Sequence, residues 1–383
     1  MKEIYLDYAA TTPIDIRVIN AMNDCLGLEG VFANPSSTHK YGMDANYLVE
    51  SAREKIASKV CIEPKRLFFT SGATESNNIA IKGIAHKGKH IITSLTEHKA
   101  VLDTVNFLER SGIEVTYLKC DSDGLIDLSD IEKSIKENTA LVSIMHVNNE
   151  IGVEQDIKEI ARLCKKKNVL FHVDAAQSAG KLPIELNDWD IDLASLTAHK
   201  CYGPKGIGAL YVREGVRINS LLHGGDQENG LRPGTLATHQ IVGMGKAYEL
   251  FDIDEESKTL LKIKKRLWNG LSEISGTRMN GHYEKSSPHI LNVTFSGIEG
   301  NSLRLAVSEI AVSAGSACNA DSSESSHVLS VLGLSDALAN SSIRFSFGRF
   351  TKLIEIDYAI ERFTYEVNRL KDIMDKAPEW CRN

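Results

Sequence analysis

Short apolar segments rich in β-branched residues alternate with helical patterns from about residue 66 to residue 212. Several of these segments are apolar at successive positions, which is typical of strands that helices cover on both faces. The pattern therefore predicts a mostly parallel sheet in a large three-layer α/β/α domain. The predicted strands are residues 67–70, 90–94, 114–118, 141–146, 170–173, 193–196 and 209–212.

The helical patterns at residues 75–86 and 156–167 each begin with an acidic residue and end with basic residues, as the helix dipole favours. In sheets of this kind ligands bind at the carboxyl ends of the strands, so we expect the functional residues there. The predicted helices lie at residues 75–86, 156–167, 255–271 and 302–309, and one more strand is predicted at residues 290–295.

After about residue 251 the regular alternation of strands and helices stops. The charged helix 255–271, the strand 290–295 and the helix 302–309 predict a second, smaller domain. We expect a large domain over residues 16–252 and a smaller α+β domain formed by residues 1–15 and 253–383. A segment rich in Ser, Gly and Ala predicts a loop at about residues 311–327. This loop carries Cys318.

Composition excludes several functional classes. Of the 383 residues, 42% are hydrophobic and 25% charged, which is ordinary for a globular protein. No stretch approaches the roughly 18 apolar residues of a membrane span, so we expect no membrane insertion. A net charge of −7 argues against direct binding of nucleic acid, which relies on massed Lys and Arg.

The seven cysteines are scattered along the chain without a C-x-x-C pair. Their spacing fits neither a disulfide framework nor a zinc site, and it indicates a reducing compartment. The first residues run directly into a strand pattern without the features of a signal peptide. We therefore expect a cytoplasmic protein without a bound metal.

Residues 70–75, Thr-Ser-Gly-Ala-Thr-Glu, join a predicted strand to a predicted helix. The backbone N–H groups and hydroxyls at such a junction can bind a phosphate at the positive end of the helix. The spacing and the lysine of a Walker A loop are absent. Taken alone, such a segment more often serves only to cap a helix.

Two ionisable residues follow buried predicted strands. Asp174 stands where an unpaired carboxylate would be costly, so it needs a cationic partner. A structural ion pair or a helix cap would satisfy it, and a protonated pyridine nitrogen is the alternative. Lys200 lies in a turn closed by Gly203 and Pro204. Such lysines more often extend into water, but a desolvated lysine is also what a Schiff base requires.

Seven motifs span nearly the whole chain. Together they resemble cysteine desulfurases of the NifS/IscS type, which belong to the class V aminotransferases with the pyridoxal 5'-phosphate (PLP) fold type I. The motifs are TSGATES at residues 70–76, TEHKA at 96–100, NNEIG at 148–152, HVDAAQ at 172–177, HKCYGPKG at 199–206, GSAC at 315–318 and SSIRFS at 341–346.

The resemblance implies PLP as the cofactor, held as a Schiff base on Lys200. It implies that Asp174 pairs with the pyridinium nitrogen, Gln177 contacts the phenolic oxygen and His98 stacks on the ring. Further cofactor contacts are implied for a set of polar and small residues, one of which comes from the other subunit of a homodimer. This set is Ala73, Thr74, Asn149, Thr197, His199 and, from the other subunit, Thr235.

The same resemblance implies L-cysteine as the substrate. Arg344 would bind its carboxylate, with Asn149 and Asn34 beside it. Lys200 would take the α-proton, and Cys318 as a thiolate would attack the substrate sulfur. The products would be L-alanine and a persulfide on Cys318, whose sulfur passes to an acceptor protein for iron-sulfur assembly, tRNA thiolation or DNA phosphorothioate modification.

Cys318 needs local activation in this interpretation. An unperturbed cysteine is only a few per cent ionised at neutral pH, and His98 is the candidate that would help. The simpler interpretation of a free cysteine is a small buried hydrophobic residue. The polar, glycine-containing surroundings of Cys318 argue against it.

Two departures from the family pattern concern partners. Pro233 stands where a small residue is common, which bears on the reach of Thr235. The chain ends at Asn383, whereas enzymes of the IscS type carry a longer tail that docks the iron-sulfur scaffold. The sulfur acceptor is therefore left open.

Three other functions compete with this interpretation. One is another PLP enzyme of the same fold, such as an aminotransferase or a selenocysteine lyase, and an aminotransferase would not need Cys318. The second is a noncatalytic sulfur-relay or scaffold subunit, which would not need the combination of Lys200, Asp174 and His98. The third is a nucleotide-binding protein that uses residues 70–75, which would leave Lys200 and Asp174 unexplained.

Overall fold

The computed structural model describes residues 3–314 and 325–376. In that part of the chain, strands and α-helices alternate from residue 67 to residue 174, and the order is less regular afterwards. The strands are β1 (Ile4–Tyr5), β2 (Leu67–Thr70), β3 (His90–Ser94), β4 (Glu114–Leu118), β5 (Thr139–Ser143), β6 (Leu170–Asp174), β7 (Leu193–Thr197), β8 (Gly208–Val212), β9 (Thr277–Asn280), β10 (Ile290–Phe295), β11 (Ile310–Ala311) and β12 (Ser342–Ser346). The helices are α1 (Ile16–Asn23), α2 (Lys40–Lys59), α3 (Ala73–Ile84), α4 (Lys99–Arg110), α5 (Leu128–Ser134), α6 (Ile157–Lys166), α7 (Thr238–Glu249), α8 (Ile253–Leu271), α9 (Gly300–Ala306), α10 (His327–Val331), α11 (Asp336–Asn340) and α12 (Leu353–Lys376).

Within the described residues, the largest sheet has seven strands in the order β2-β8-β7-β6-β5-β3-β4. Strand β8 is antiparallel to both of its neighbours, and the other neighbouring pairs are parallel. The prediction of a mostly parallel sheet is therefore confirmed.

Helices cover both faces of this sheet, because successive strand residues belong to different hydrophobic cores. Ile92 of β3 and Ala194 of β7 pack into one core, whereas Ile91 and Leu193 pack into the other. Side chains alternate between the two faces of a strand, so two cores require two covered faces. This explains why the strands are apolar at successive positions, and it confirms the three-layer α/β/α arrangement.

A second sheet, of order β12-β10-β9, is antiparallel. It packs with helices α8, α9 and α12 around a separate core that also contains Ile4 and Leu6. These two residues reach it because β1 pairs in parallel with β11. The domain limits predicted from the sequence stay a prediction.

Three predicted elements begin and end two or three residues further along the chain than the observed ones. The predicted helix 75–86 is observed as Ala73–Ile84. The predicted strand 141–146 is observed as Thr139–Ser143, and the predicted helix 302–309 as Gly300–Ala306. Ile144 and Met145 are buried although they lie beyond the end of the strand. A run of apolar residues thus indicates that the segment is buried, and it does not show where hydrogen bonding between strands ends. In the described residues, no helix has the length and apolar character needed to cross a membrane.

Candidate active site

A cavity of about 440 Å³ opens at the carboxyl ends of the parallel strands. Strands β6 and β7 end at Asp174 and Thr197, and both residues line it. Strand β2 contributes the residues that follow it, up to the start of α3. Ten of the predicted site residues line this one cavity: Ala73, Thr74, His98, Asn149, Asp174, Gln177, Thr197, His199, Lys200 and Arg344.

Both carboxylate oxygens of Asp174 accept hydrogen bonds from neutral groups. Oδ1 accepts from the backbone N–H of Ala176 at 2.9 Å, and Oδ2 accepts from Nδ2 of Asn77 at 2.7 Å. The side chain is held in one orientation at the wall of the cavity, and only 5% of the residue is exposed. Because these partners carry no charge, a cation placed in the cavity would compensate the carboxylate.

The start of helix α3 also lines the cavity. Its N-cap is Gly72, which has a φ of 151° and no side chain that could cap the helix. The first N–H groups of a helix and the helix dipole attract an anion. Beside them, the buried Oγ1 of Thr197 has no hydrogen-bond partner in the described protein. This end of the cavity suits a phosphate group.

The turn that carries Lys200 is fixed from the N-terminal segment. Oγ1 of Thr12 donates to the carbonyl of His199 at 2.9 Å and accepts from the backbone N–H of Tyr202 at 2.8 Å. Tyr202 has a φ of 61°, an uncommon conformation for a residue with a side chain. One threonine therefore joins both sides of the turn, which holds Lys200 at the cavity wall.

The surroundings of two cavity histidines favour the neutral form of the ring. Burial, and next the charge of Lys200, lower the pKa of His98, and the same two causes lower the pKa of His199 to about 4. Nδ1 of His98 accepts a hydrogen bond from the N–H of Ala100 at 3.0 Å. The neutral ring of His98 therefore carries its proton on Nε2.

Arg344 is 1% exposed and reaches the cavity from β12. Its Nη1 donates to the carbonyl of Asn149 at 2.9 Å, and its Nη2 donates to Asp7 at 2.7 Å. Its buried Nε has no partner in the described residues. The guanidinium is thus fixed by two contacts and retains a donor for a ligand.

Comparison with known proteins places this cavity in a family. Residues 4–359 match the family described as Aminotransferase class-V. The chain is 54% identical over 386 residues to Cysteine desulfurase IscS of Proteus mirabilis, covering 98% of this chain and 95% of that protein. The chain belongs to the cysteine desulfurases of the class-V aminotransferase family.

Solved structures of related proteins agree with this assignment. One, described as a NifS-like protein, is 38% identical and superposes with a TM-score of 0.89, covering 96% of this chain and 100% of that one. Another, described as SspA in complex with cysteine, is 41% identical with a TM-score of 0.81, covering 92% and 100%. The PLP fold type I predicted from the sequence is therefore confirmed.

Class-V desulfurases use PLP, and the cavity has the groups to bind it. The α3 terminus and the partnerless hydroxyl of Thr197 suit the phosphate, the carboxylate of Asp174 suits a protonated ring nitrogen, and Lys200 suits the aldehyde. The cofactor would supply that aldehyde and an electron-accepting ring.

Three predicted site residues do not line the cavity of the single described chain. Thr235 is exposed and lies on the segment before α7. Asn34 is also exposed, and its Oδ1 accepts from the backbone N–H of Ser36 at 2.9 Å. Cys318 lies outside the described residues. The roles predicted for these three residues stay predictions.

Other cavity residues of this desulfurase escaped the sequence analysis. Ala9, Ala10 and Thr11 line the cavity although they lie far from the sheet in sequence, and no local pattern indicates this. The sequence could have identified Asn77 as a site residue. It is an amide on the buried face of α3, and a buried polar side chain on an apolar helix face calls for a partner.

Proposed function

We propose that this chain removes sulfur from L-cysteine with PLP as cofactor, releases L-alanine and keeps the sulfur as a persulfide on Cys318. One observation carries the proposal. Lys200, Asp174, His98 and Arg344 come from four separate parts of the sequence and line a single cavity. Each has the chemistry that one step of this reaction requires.

The contacts of each residue indicate its role in the reaction. Lys200 would bind the cofactor and then move the α-proton of the substrate. Asp174 would hold a proton on the ring nitrogen, because its present partners leave its charge uncompensated. Arg344 would bind the substrate carboxylate through the guanidinium donors that Asn149 and Asp7 do not use.

The described cysteines support Cys318 as the sulfur carrier. The thiolate is the nucleophilic form, and burial is the largest cause that raises the pKa of each thiol in this group. The pKa of Cys120 and that of Cys201 are raised to about 11, and that of Cys164 to about 12. The pKa values of Cys25 and Cys61 are raised as well. None of these five thiols lines the cavity, which leaves Cys318 and Cys381. Of these two, Cys318 belongs to the GSAC motif.

The proposed enzyme acts as a homodimer. Near Asn34, the side chains of Phe32, Tyr41 and Tyr47 leave 51%, 65% and 72% of their surface exposed in the single chain. Large apolar residues exposed together are typical of a subunit interface. We propose that Thr235 and Asn34 of one subunit complete the cavity of the other.

We also propose that the protein works in the cytoplasm and passes its sulfur to an acceptor protein. All five described cysteines are free thiols, which fits a reducing compartment. The acidic net charge of −7 fits transfer through a protein partner rather than direct contact with nucleic acid.

The test is to measure alanine and persulfide formation from L-cysteine by the purified, PLP-loaded protein. Lys200→Ala should lose both products. Cys318→Ala should lose the persulfide and keep the visible spectrum of the cofactor. Cys61→Ala, which removes an exposed cysteine, is the matched control and should behave like the wild type. A wild-type protein that converts cysteine by transamination, or that forms no persulfide, would refute the proposal.

A further inference from the structure

Lys181 is a buried lysine that the proposed reaction does not use. The residue is 3% exposed, and its Nζ donates to Oε1 of Gln177 at 3.2 Å. Removing an ammonium group from water is costly unless hydrogen bonds or opposite charges compensate it. An apolar side chain of similar length would avoid this cost. The position of Lys181 therefore calls for a functional reason.

The contact with Lys181 fixes the orientation of a cavity residue. Gln177 lines the cavity, and its Nε2 donates to the carbonyl of Ala9 at 2.9 Å. Rotating the amide by half a turn would set Nε2 against the ammonium and Oε1 against that carbonyl. Both contacts would become repulsive, because donor would face donor and acceptor would face acceptor. Gln177 can therefore offer the cavity its second N–H and not its carbonyl.

A pKa of about 8 keeps Lys181 mostly protonated at neutral pH. Burial is the largest cause that lowers its pKa to about 8. The charges of Lys200 and Arg344 act in the same direction, and Cys201 and Glu256 act in the opposite direction. The ammonium polarises the amide of Gln177 and strengthens its remaining N–H as a donor.

We propose that Lys181 is a positioning residue that holds the amide of Gln177 with one N–H directed at the phenolic oxygen of the cofactor. This inference rests on the proposed function and adds a residue to it. A charge-assisted donor beside an anionic oxygen stabilises the anion. In the alkaline form of the bound cofactor, the negative phenolic oxygen has the least positive charge beside it. A donor at this oxygen therefore stabilises the alkaline form more than the acidic form. Lys181 therefore lowers the pH at which the visible band of the cofactor titrates.

The experiment is a spectroscopic pH titration of the PLP-loaded protein. Lys181→Met should move the midpoint to higher pH by about one unit, which corresponds to one charge-assisted hydrogen bond. Lys181→Arg keeps a cationic donor, so its midpoint should lie closer to the wild-type value than that of Lys181→Met. Lys264→Met is the matched control, because Lys264 is equally buried and hydrogen bonds to Ser286 and Ser287, which do not line the cavity.

A double variant tests whether Lys181 acts through Gln177. In a Gln177→Leu background, Lys181→Met should produce no further shift, because the amide that it positions is absent. A wild-type midpoint in Lys181→Met would overturn the inference. So would a full shift that persists in the Gln177→Leu background. If Lys181→Met does not fold, Lys181→Gln retains a neutral donor and should give a smaller shift in the same direction. A wild-type protein without a visible band would instead count against the proposed function.

Discussion

The guanidinium of Arg349 lies 4.2 Å from the ring centre of Tyr202, and the backbone N–H of Arg349 donates to the hydroxyl of Tyr202 at 2.6 Å. The same guanidinium pairs with Asp15 at 2.9 Å and also with Glu256. Tyr202 follows Lys200 by two residues. A buried ion-pair cluster therefore supports the turn that carries Lys200.

Replacing Arg349 by Met should destabilise the protein strongly. The change leaves Glu256 without this ion-pair partner and leaves Asp15 paired with Arg17 alone, and the side chains of Glu256 and Asp15 are only 13% and 5% exposed. Breaking a buried pair costs about 3–5 kcal/mol. Chemical denaturation should show this loss. Arg266→Met is the control, because Arg266 pairs with Asp357 at the surface and should cost less than about 1 kcal/mol. Equal losses in both variants would contradict the prediction.

Glu228→Gln should weaken cofactor binding as well as stability. Glu228 accepts from Arg53 at 2.8 Å and from the backbone N–H of Phe69 at 2.6 Å, and it has a φ of 50°. It thereby ties the segment that leads to Thr235 to strand β2. Removing its charge leaves Arg53 buried without that partner, so we expect a loss of about 3 kcal/mol. The dissociation constant for PLP should rise.

The control for this variant is Glu50→Gln. The Glu50 side chain also pairs with Arg53 but is 48% exposed, so its loss should cost less than about 1 kcal/mol. If Glu228→Gln binds PLP with wild-type affinity, the segment before α7 does not depend on this ion pair.

Gly208→Ala should distort the phosphate end of the cavity. An added Cβ would lie 2.6 Å from the Cα of Gly72 and 2.5 Å from the carbonyl oxygen of Leu196, and both are backbone atoms that cannot rotate away. Because Gly72 precedes the first turn of α3, its displacement should reduce PLP affinity by about tenfold or more. Fluorescence titration of the apoprotein with PLP would measure this. Gly215→Ala adds its methyl group in open space but at a φ of 86°, which strains the backbone away from the cavity. It controls for general destabilisation and should keep PLP affinity.

His172 should make stability depend on pH in the acidic range. It is fully buried between Ser143 and Ser195, and burial lowers its pKa to about 4 from an ordinary value of 6.5. The unfolded chain therefore binds the extra proton first as the pH falls below 6.5. Stability present above pH 6.5 is lost progressively down to pH 4, by about 3 kcal/mol for this residue.

The melting temperature measured at pH 7 and pH 5 tests this linkage. His172→Gln removes the titrating group, so its melting temperature should fall less between the two pH values than that of the wild type. His86→Gln, at an exposed position, should reproduce the wild-type fall. Parallel curves for wild type and His172→Gln would show that another group carries the dependence.

Local patterns predicted the sheet and the ends of most of its strands, but not the end of β5, because apolar periodicity and buried polar residues are properties of short segments. Asp174 and Lys200 were found in this way. The contacts that complete the cavity are of another kind. Asp7 and Arg344 are separated by 337 positions, and Gln177 and Ala9 by 168. No periodicity links residues so far apart, so only the folded chain reveals them.

The pairing of β1 with β11 has a consequence for how the protein forms during synthesis. Residues 4–5 can find their partners only after residues 310–311 have left the ribosome. Ile4 and Leu6 are fully buried in the final structure and must stay without their core until then. Because Ala9 and Thr11 follow directly and line the cavity, the cavity wall closes only after residues 310–311 have been synthesised. A nascent chain would therefore acquire its cofactor late, and truncated chains would be unable to retain it.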